Sequence, residues 1–247
     1  MENSNKKFLL VHGAWEGAWS WKDTTSYLEK SGHTVKAIDM PGHGNDKTPV
    51  SEITLGLYVN RVKEELNKTE GQIILVGHSF AGYVLSQVAE EIPEKIEKLV
   101  FVASAIPYDG KTAVEVFEED NESEFLENLI FSEDKTTATM TRETILNIVF
   151  TGATEAQIDA VLPKLVAQEP TAPFFESVIT TEKNFGRVPK AYVETTLDRI
   201  ISLEHQRYVQ KKAGIKETVT LEHGHVPLET APSELANALN TIATSKK

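Results

Sequence analysis

Unbroken apolar runs and helical spacings take turns along the N-terminal part of the chain. Phe8-Leu9-Leu10-Val11 is a short apolar run of the kind that fills a strand buried on both faces. Trp19 to Glu29 reads as a helix ended by Ser31-Gly32. Thr34 to Asp39 predicts a second strand. Leu55, Tyr58, Val59, Val62 and Leu66 then recur at helical spacing. Ile73 to Val76 predicts a third strand, Ser79 to Glu91 a helix stopped by Pro93, and Ile96 to Ala103 a fourth strand. Strands alternating with helices at this spacing point to an α/β domain, a mostly parallel sheet flanked by helices.

The alternation breaks after Ala105-Ile106-Pro107. From Tyr108 to Gly186 no clear strand is predicted. Glu115, Glu118, Glu119, Asp120, Glu122, Glu124 and Glu127 open this stretch and read as the solvated face of a helix. Thr154-Glu155-Ala156-Gln157 has the form of a capping box, with Ile158, Val161, Leu162 and Leu165 following at helical spacing. Beyond Pro170 and Pro173 the alternation resumes. A strand is expected over Val188 to Thr195, a helix over Leu203 to Lys211, a strand over Glu217 to Leu221 and a last helix over Ser233 to Ile242. The expected organisation is a core of residues 1–107 and 187–247, with residues 108–186 as a helical lid (cap). A lid inserted so late in an α/β sheet belongs over the carboxyl ends of the strands, where such sheets bind ligands.

Composition narrows the classes. The chain has 247 residues, enough for one sizeable core, and its 25 Lys and Arg against 37 Asp and Glu give a formal net charge of −12. That surface argues against nucleic acid and against anionic membrane as partners. No run approaches the length of a membrane span. The Phe8-to-Val11 run is too short for a signal peptide and ends at His12-Gly13 with no cleavage site, so the expected compartment is the cytoplasm. There is no cysteine, so neither a disulfide framework nor a thiolate metal site is available. The expected partner is a small molecule, and a homodimer stays open.

Chemistry enters with Gly77-His78-Ser79-Phe80-Ala81-Gly82. A serine between small residues, on a turn from strand to helix, has the layout of a nucleophile elbow. The helix N-terminus there leaves backbone N–H groups free to stabilise negative charge. The string alone is common, and a serine capping a helix is its bland reading. The rest of the chain gives it weight. A nucleophilic serine needs a base, and the base an orienting acid. Of the seven histidines, His205, His223 and His225 follow Ser79 and a later strand. His225, in Gly224-His225-Val226-Pro227-Leu228 after the last strand, is the preferred base and His223 the second choice. His205 falls in a helical pattern and is expected at the surface. The acid belongs after the strand ending at Thr195, and Asp198 in Thr196-Leu197-Asp198-Arg199 is placed for it. Glu194 is the alternative acid but lies within the strand pattern, and Glu204 is expected on a helix. A helix cap or an ion pair with Arg199 is the alternative for Asp198. The oxyanion donors are expected to be the backbone N–H groups of Phe80 and of Ala14, the latter in the loop His12-Gly13-Ala14-Trp15 after the first strand. No metal or cofactor is required.

These motifs, with Val11-His12-Gly13-Ala14-Trp15-Glu16-Gly17-Ala18-Trp19-Ser20-Trp21 and Asp39-Met40-Pro41-Gly42-His43-Gly44, resemble the α/β-hydrolase superfamily over nearly the whole chain. Within it the chain is similar to the plant methylesterase and hydroxynitrile lyase group and its bacterial esterase relatives. The resemblance implies a Ser79-Asp198-His225 triad, an oxyanion hole from Ala14 and Phe80, and structural roles for His12, Asp39 and His43. Two departures separate the chain from the lyases. They carry threonine where this chain has Gly13, and a lysine after the motif histidine, for the leaving cyanide, where this chain has Val226. The expected reaction is therefore serine carboxylic ester hydrolysis through an acyl-enzyme. A lyase-like, acyltransferase or thioesterase activity, or a non-catalytic receptor, are the alternatives. Phe117, Phe125, Leu126, Leu129, Ile130, Phe131, Phe150, Phe174 and Phe175 supply apolar surface in the lid, so a small to medium, largely apolar ester is expected.

Overall fold

A computed structural model describes residues 5–245. Strand β1 spans Lys7–Val11, and a 3-10 turn (Ala18–Trp21) leads into helix α1 (Lys22–Lys30). Then come β2 (Thr34–Ile38), α2 (Leu55–Lys68), β3 (Ile73–His78), α3 (Ala81–Glu91) and β4 (Ile96–Val102). The next stretch holds α4 (Ala113–Glu118), β5 (Ile130–Phe131), β6 (Thr137–Thr139), α5 (Arg142–Thr144), α6 (Glu155–Val161) and β7 (Glu169–Pro170). The chain closes with β8 (Lys190–Thr195), α7 (Leu203–Lys212), β9 (Glu217–Leu221), α8 (Pro227–Thr230) and α9 (Pro232–Thr244).

Six strands form one parallel sheet in the order β2-β1-β3-β4-β8-β9. Every predicted sheet strand is present within a residue or two of its expected ends. The central strand β3 is buried at all six positions, while the edge strands β2 and β9 alternate outward and inward. That contrast is what two covered faces demand of a middle strand and what a half-exposed edge permits. Alternate residues feed two separate cores. Leu9, Val11, Leu75, Leu99 and Phe101 pack with Tyr58, Val62, Val84 and Val88 of α2 and α3. Phe8, Leu10, Ile74, Val76, Val100 and Val102 pack with Leu28 of α1 and Leu235 and Leu239 of α9. Each such side chain contributes about 1.5–3 kcal/mol of burial.

The chain steps from β1 to β2 on one side, then crosses to β3 on the other. The loops leaving β1 and β3 therefore diverge at a topological switch point, the crevice where open α/β sheets bind ligands. Val11 is paired with Gly77, so the two loops start from neighbouring positions.

Two expectations need correcting. The stretch from Tyr108 to Gly186 is not free of strands: β5, β6 and β7 make a small antiparallel sheet. Strands of two or three residues carry no readable two-residue period. Nor is the acidic run one solvated helix face. Helix α4 ends at Glu118, and Asp120 beyond it is buried, accepting a hydrogen bond from the Ser202 N–H at 2.7 Å. Among the described residues no helix is long and apolar enough to cross a membrane.

Candidate active site

Strand β3 delivers the chain to Ser79 in a left-handed backbone conformation, φ 53°. A non-glycine residue adopts it only where its surroundings fix it. Here the Ser79 N–H donates to the Val102 carbonyl at 3.1 Å and the Ser79 carbonyl accepts from the Ser104 hydroxyl at 2.5 Å. Gly77 and Gly82 have no room for side chains. A Cβ on Gly77 would meet Leu85 at 2.8 Å, and one on Gly82 would lie 2.0 Å from the Ala105 carbonyl oxygen. Helix α3 can thus start directly under the serine, which is what the small residues of the motif predict.

Ser79 Oγ lies 2.9 Å from His225 Nε2, and His225 Nδ1 lies 2.9 Å from Asp198 Oδ2. All three side chains are buried. Asp198 is held from every side. Its Oδ1 accepts from the N–H groups of Ile200 and Ile201 at 2.8 and 3.0 Å, and its Oδ2 accepts also from the Thr195 hydroxyl and the Gln206 amide. An acceptor so surrounded keeps His225 Nδ1 as a donor and leaves Nε2 to face the serine. The ion-pair alternative for Asp198 does not arise, because Arg199 pairs with Glu124 instead.

Ala14 and Phe80 line the same cavity as Ser79 and His225. Neither backbone N–H is engaged in a hydrogen bond among the described residues. The structure therefore brings Ser79, His225, Ala14 and Phe80 to one cavity with Asp198 behind the histidine. A Cβ on Gly13 would meet His78 Nδ1 at 2.8 Å and the Ser79 Cβ at 3.0 Å, so the loop approaches the elbow only because this residue is glycine.

The cavity is narrow, about 40 Å3, and its wall is almost wholly apolar. Phe117, Phe125, Ile145, Phe150 and Phe174 of the inserted segment face Trp15 and Val226 across it. Trp15, Phe117, Phe125 and Phe174 also wall a second apolar chamber of about 50 Å3 reaching Phe131 and Phe175. Those two phenylalanines are exposed, so they do not pack inward as a core residue would.

The remaining histidines and acids lie elsewhere. His223 pairs with Glu234 at 3.2 Å. Glu194 is taken by Arg207, Gln210 and Thr220, and Glu204 is exposed on α7. His205 corrects the expectation of a surface residue, being buried on α7 beside Gln206 and Gln210. This helix buries a polar face, because Gln206 and Gln210 bond to the β8 residues Thr195 and Glu194, and a polar face leaves no hydrophobic period to read. His12 donates from Nδ1 to the Gly13 carbonyl and accepts the Met40 N–H at Nε2. Burial, aided by His43, lowers its pKa to about 4, so it is neutral. Asp39 accepts the Ala18 and Asn45 N–H groups and holds two loops together. Sequence reasoning missed Glu16 and Glu169, buried acids whose carboxylates reach the loop around Ala14. Among the described residues no group of three or more His, Asp or Glu side chains is placed to hold a metal ion.

The family profile described as alpha/beta hydrolase matches residues 8–238. The chain belongs to the alpha/beta hydrolase family. Within the family it resembles the plant methylesterase group. It is 30% identical to salicylic acid-binding protein 2 of Nicotiana tabacum, over 96% of this chain and 97% of that one. To methylesterase 8 of Arabidopsis thaliana it is 29% identical, over 98% and 91%. Two chloroplastic A. thaliana relatives, at 28% and 29% identity, are longer, and the chain spans 57% and 63% of their length. The crystal structure of polyneuridine aldehyde esterase superposes with a TM-score of 0.88 at 24% identity, over 97% of this chain and all of that one. The pyrethroid hydrolase PytH superposes at 0.83 with 24% identity, over 98% of both chains. These two likenesses are of fold.

Proposed function

We propose that this hydrolase is a serine carboxylic ester hydrolase for small to medium, largely apolar esters. The observation that carries the reading is the unbroken relay from Asp198 through His225 to the Ser79 hydroxyl, with two unengaged N–H groups beside it. His225 Nε2 takes the hydroxyl proton as Ser79 Oγ attacks the ester carbonyl carbon. Asp198 holds the ring and stabilises the imidazolium. The Ala14 and Phe80 N–H groups receive the oxyanion. His225 then protonates the leaving alcohol, and water repeats the sequence on the acyl-enzyme. Each oxyanion donor contributes about 3 kcal/mol to such a transition state.

Residues 108–186 act as the cap. Their aromatic side chains make the cavity apolar, which favours a neutral substrate and, once the serine is acylated, limits the water at hand. The names of the methylesterase relatives agree with ester hydrolysis. A lyase-like reading is disfavoured by two residues. A threonine has no room where Gly13 meets His78 and Ser79, and buried Val226 lines the cavity where a cation would be needed. A receptor reading gives no use to a base aimed at a strained serine.

The test is ester turnover by Ser79→Ala. The expected loss is about a million-fold in kcat if the three residues act as a unit. A folded Ser79→Ala protein that keeps its turnover refutes the reading. A panel of chromogenic esters varied in acyl and alcohol size identifies the preferred class.

A further inference from the structure

Four backbone groups around the Ala14 N–H are engaged. The Gly13 N–H donates to Glu16 Oε2 at 3.0 Å. The Gly13 carbonyl accepts from His12 Nδ1 at 2.7 Å. The Trp15 N–H donates to Glu169 Oε2 at 2.7 Å, and the Trp15 carbonyl accepts the Val166 N–H at 2.8 Å. A trans peptide carries its C=O and N–H on opposite sides. Drawing the Gly13 carbonyl to His12 therefore turns the Ala14 N–H the other way, and Ala14 lines the cavity beside Ser79. Trp15 stands at φ 62°, a left-handed conformation that a tryptophan keeps only when held.

Two carboxylates next to an anion-binding N–H would oppose the anion. Each is matched by a histidine with both ring nitrogens against acceptors. His78 faces Glu16 Oε2 at 3.0 Å and the His225 carbonyl at 2.8 Å. His43 faces Glu169 Oε2 at 2.9 Å and the Pro41 carbonyl at 3.0 Å. An imidazole donates from both nitrogens only when protonated. Burial is the largest single influence and works against that charge, yet Glu16 with the His225 carbonyl raises the pKa of His78, and Glu169 with the Pro41 carbonyl raises that of His43 to about 8. Each carboxylate thus faces a histidine across a buried hydrogen bond and at the same time holds a backbone N–H.

We propose that Glu16 and Glu169 are paired positioning residues, buried carboxylates that clamp the Gly13-Ala14-Trp15 loop from two sides and aim the Ala14 N–H at the reacting carbonyl. The inference rests on the serine hydrolase reading above. Glu16 works from the nucleophile side, through His78 of the elbow. Glu169 works from β7 in the inserted segment, 154 residues along the chain from Trp15. The oxyanion site is therefore completed by the cap and is not a property of the sheet loops alone.

The test uses Glu16→Gln, Glu169→Gln and Glu169→Leu in the full chain. Glutamine keeps an acceptor oxygen and loses the charge; leucine loses both. The expected result is a fall in kcat of roughly ten- to a hundredfold, with KM changing by less than about threefold. Affinity for a trifluoromethyl ketone, which forms an anionic tetrahedral adduct on the serine, falls in step with kcat. Affinity for an unreactive ether analogue of the ester stays put. Glu169→Gln retains more activity than Glu169→Leu. If the leucine variant does not fold, the two glutamine variants carry the test. Folded variants whose kcat and adduct affinity stay within about twofold of the parent, or whose loss lies in KM alone, overturn the clamp. Absence of any Ser79-dependent ester turnover in the parent overturns the hydrolase reading itself, whereas turnover that the glutamine variants leave intact overturns only the clamp.

Discussion

Gly13 is the residue on which the site's compactness turns. Any side chain there must push against His78 Nδ1 at 2.8 Å and the Ser79 Cβ at 3.0 Å, neither of which is the loose end of a flexible chain. Gly13→Ala is expected to displace the loop by a few tenths of an ångström and lower kcat by roughly tenfold or more, with the fold intact. Steady-state kinetics with a chromogenic ester and a thermal melt check this; unchanged kcat would contradict it. At this scale the meeting of Ser79, His225 and Asp198 was legible, because each sits in a short motif at a strand end and the proposed chemistry asks for its residue type, whereas Phe80 and Ala14 were read from position alone, since only their backbone N–H groups are at issue. Glu16 was visible only as a letter in a motif, with nothing to say that its carboxylate turns inward to His78. Glu169 carried no signal at all, since its partners Trp15 and His43 are far along the chain and only the folded cap brings them together.

Between elements, the inserted segment and the loop after β8 that carries Asp198 are sewn together. Asp120 accepts the Ser202 N–H at 2.7 Å at the start of α7, Ser123 donates to the Ile200 carbonyl at 2.7 Å, and Glu124 holds Arg199 with two bonds of 2.6 Å. Asp120→Ala leaves a buried N–H unpaired, which costs about 1–3 kcal/mol. The expected outcome is a melting midpoint lower by several degrees and a larger loss of kcat than Glu122→Ala, whose exposed carboxylate makes no such bond to α7. Equal behaviour of the two variants would contradict the account. The sheet strands were legible because short apolar or alternating runs recur between helical spacings at regular intervals, and that alternation reads as strands of a parallel sheet. The cap was not, because its strands are two or three residues long and Asp120 looks from the sequence like any other member of an acidic run.

For the molecule as a whole, His12, Glu229 and His43 each tilt stability with pH, and His78, raised in the same direction as His43, adds to the alkaline side. His12, lowered to about 4 by burial, leaves the unfolded chain binding a proton that the folded chain refuses between about pH 4 and 6.5, so stability rises with pH there. Glu229, raised to about 7 by burial and by the charge of Glu16, does the reverse between about 4.5 and 7. Over the shared window the two slopes offset. His43, raised to about 8 because Glu169, the Pro41 carbonyl and Asp39 together outweigh burial, contributes stability that is complete below pH 6.5 and lost as the pH climbs through 8. That step is worth about 2 kcal/mol, on the order of 5 °C in melting midpoint. Melting curves from pH 5 to 9 should show a plateau followed by an alkaline fall, and His43→Asn should flatten the fall. An alkaline fall that His43→Asn leaves unaltered would contradict the assignment.

The central claim is that one serine becomes covalently attached to the substrate's acyl group. Its most direct measurement is intact-mass and peptide-mass analysis after treatment with a fluorophosphonate. The account predicts a single adduct per chain, on the peptide that contains residue 79, formed at least a thousandfold more slowly, on the order of the loss of general-base help, when His225 is replaced by alanine. Stoichiometric labelling at a different residue, or ester turnover that survives complete modification of Ser79, would contradict it.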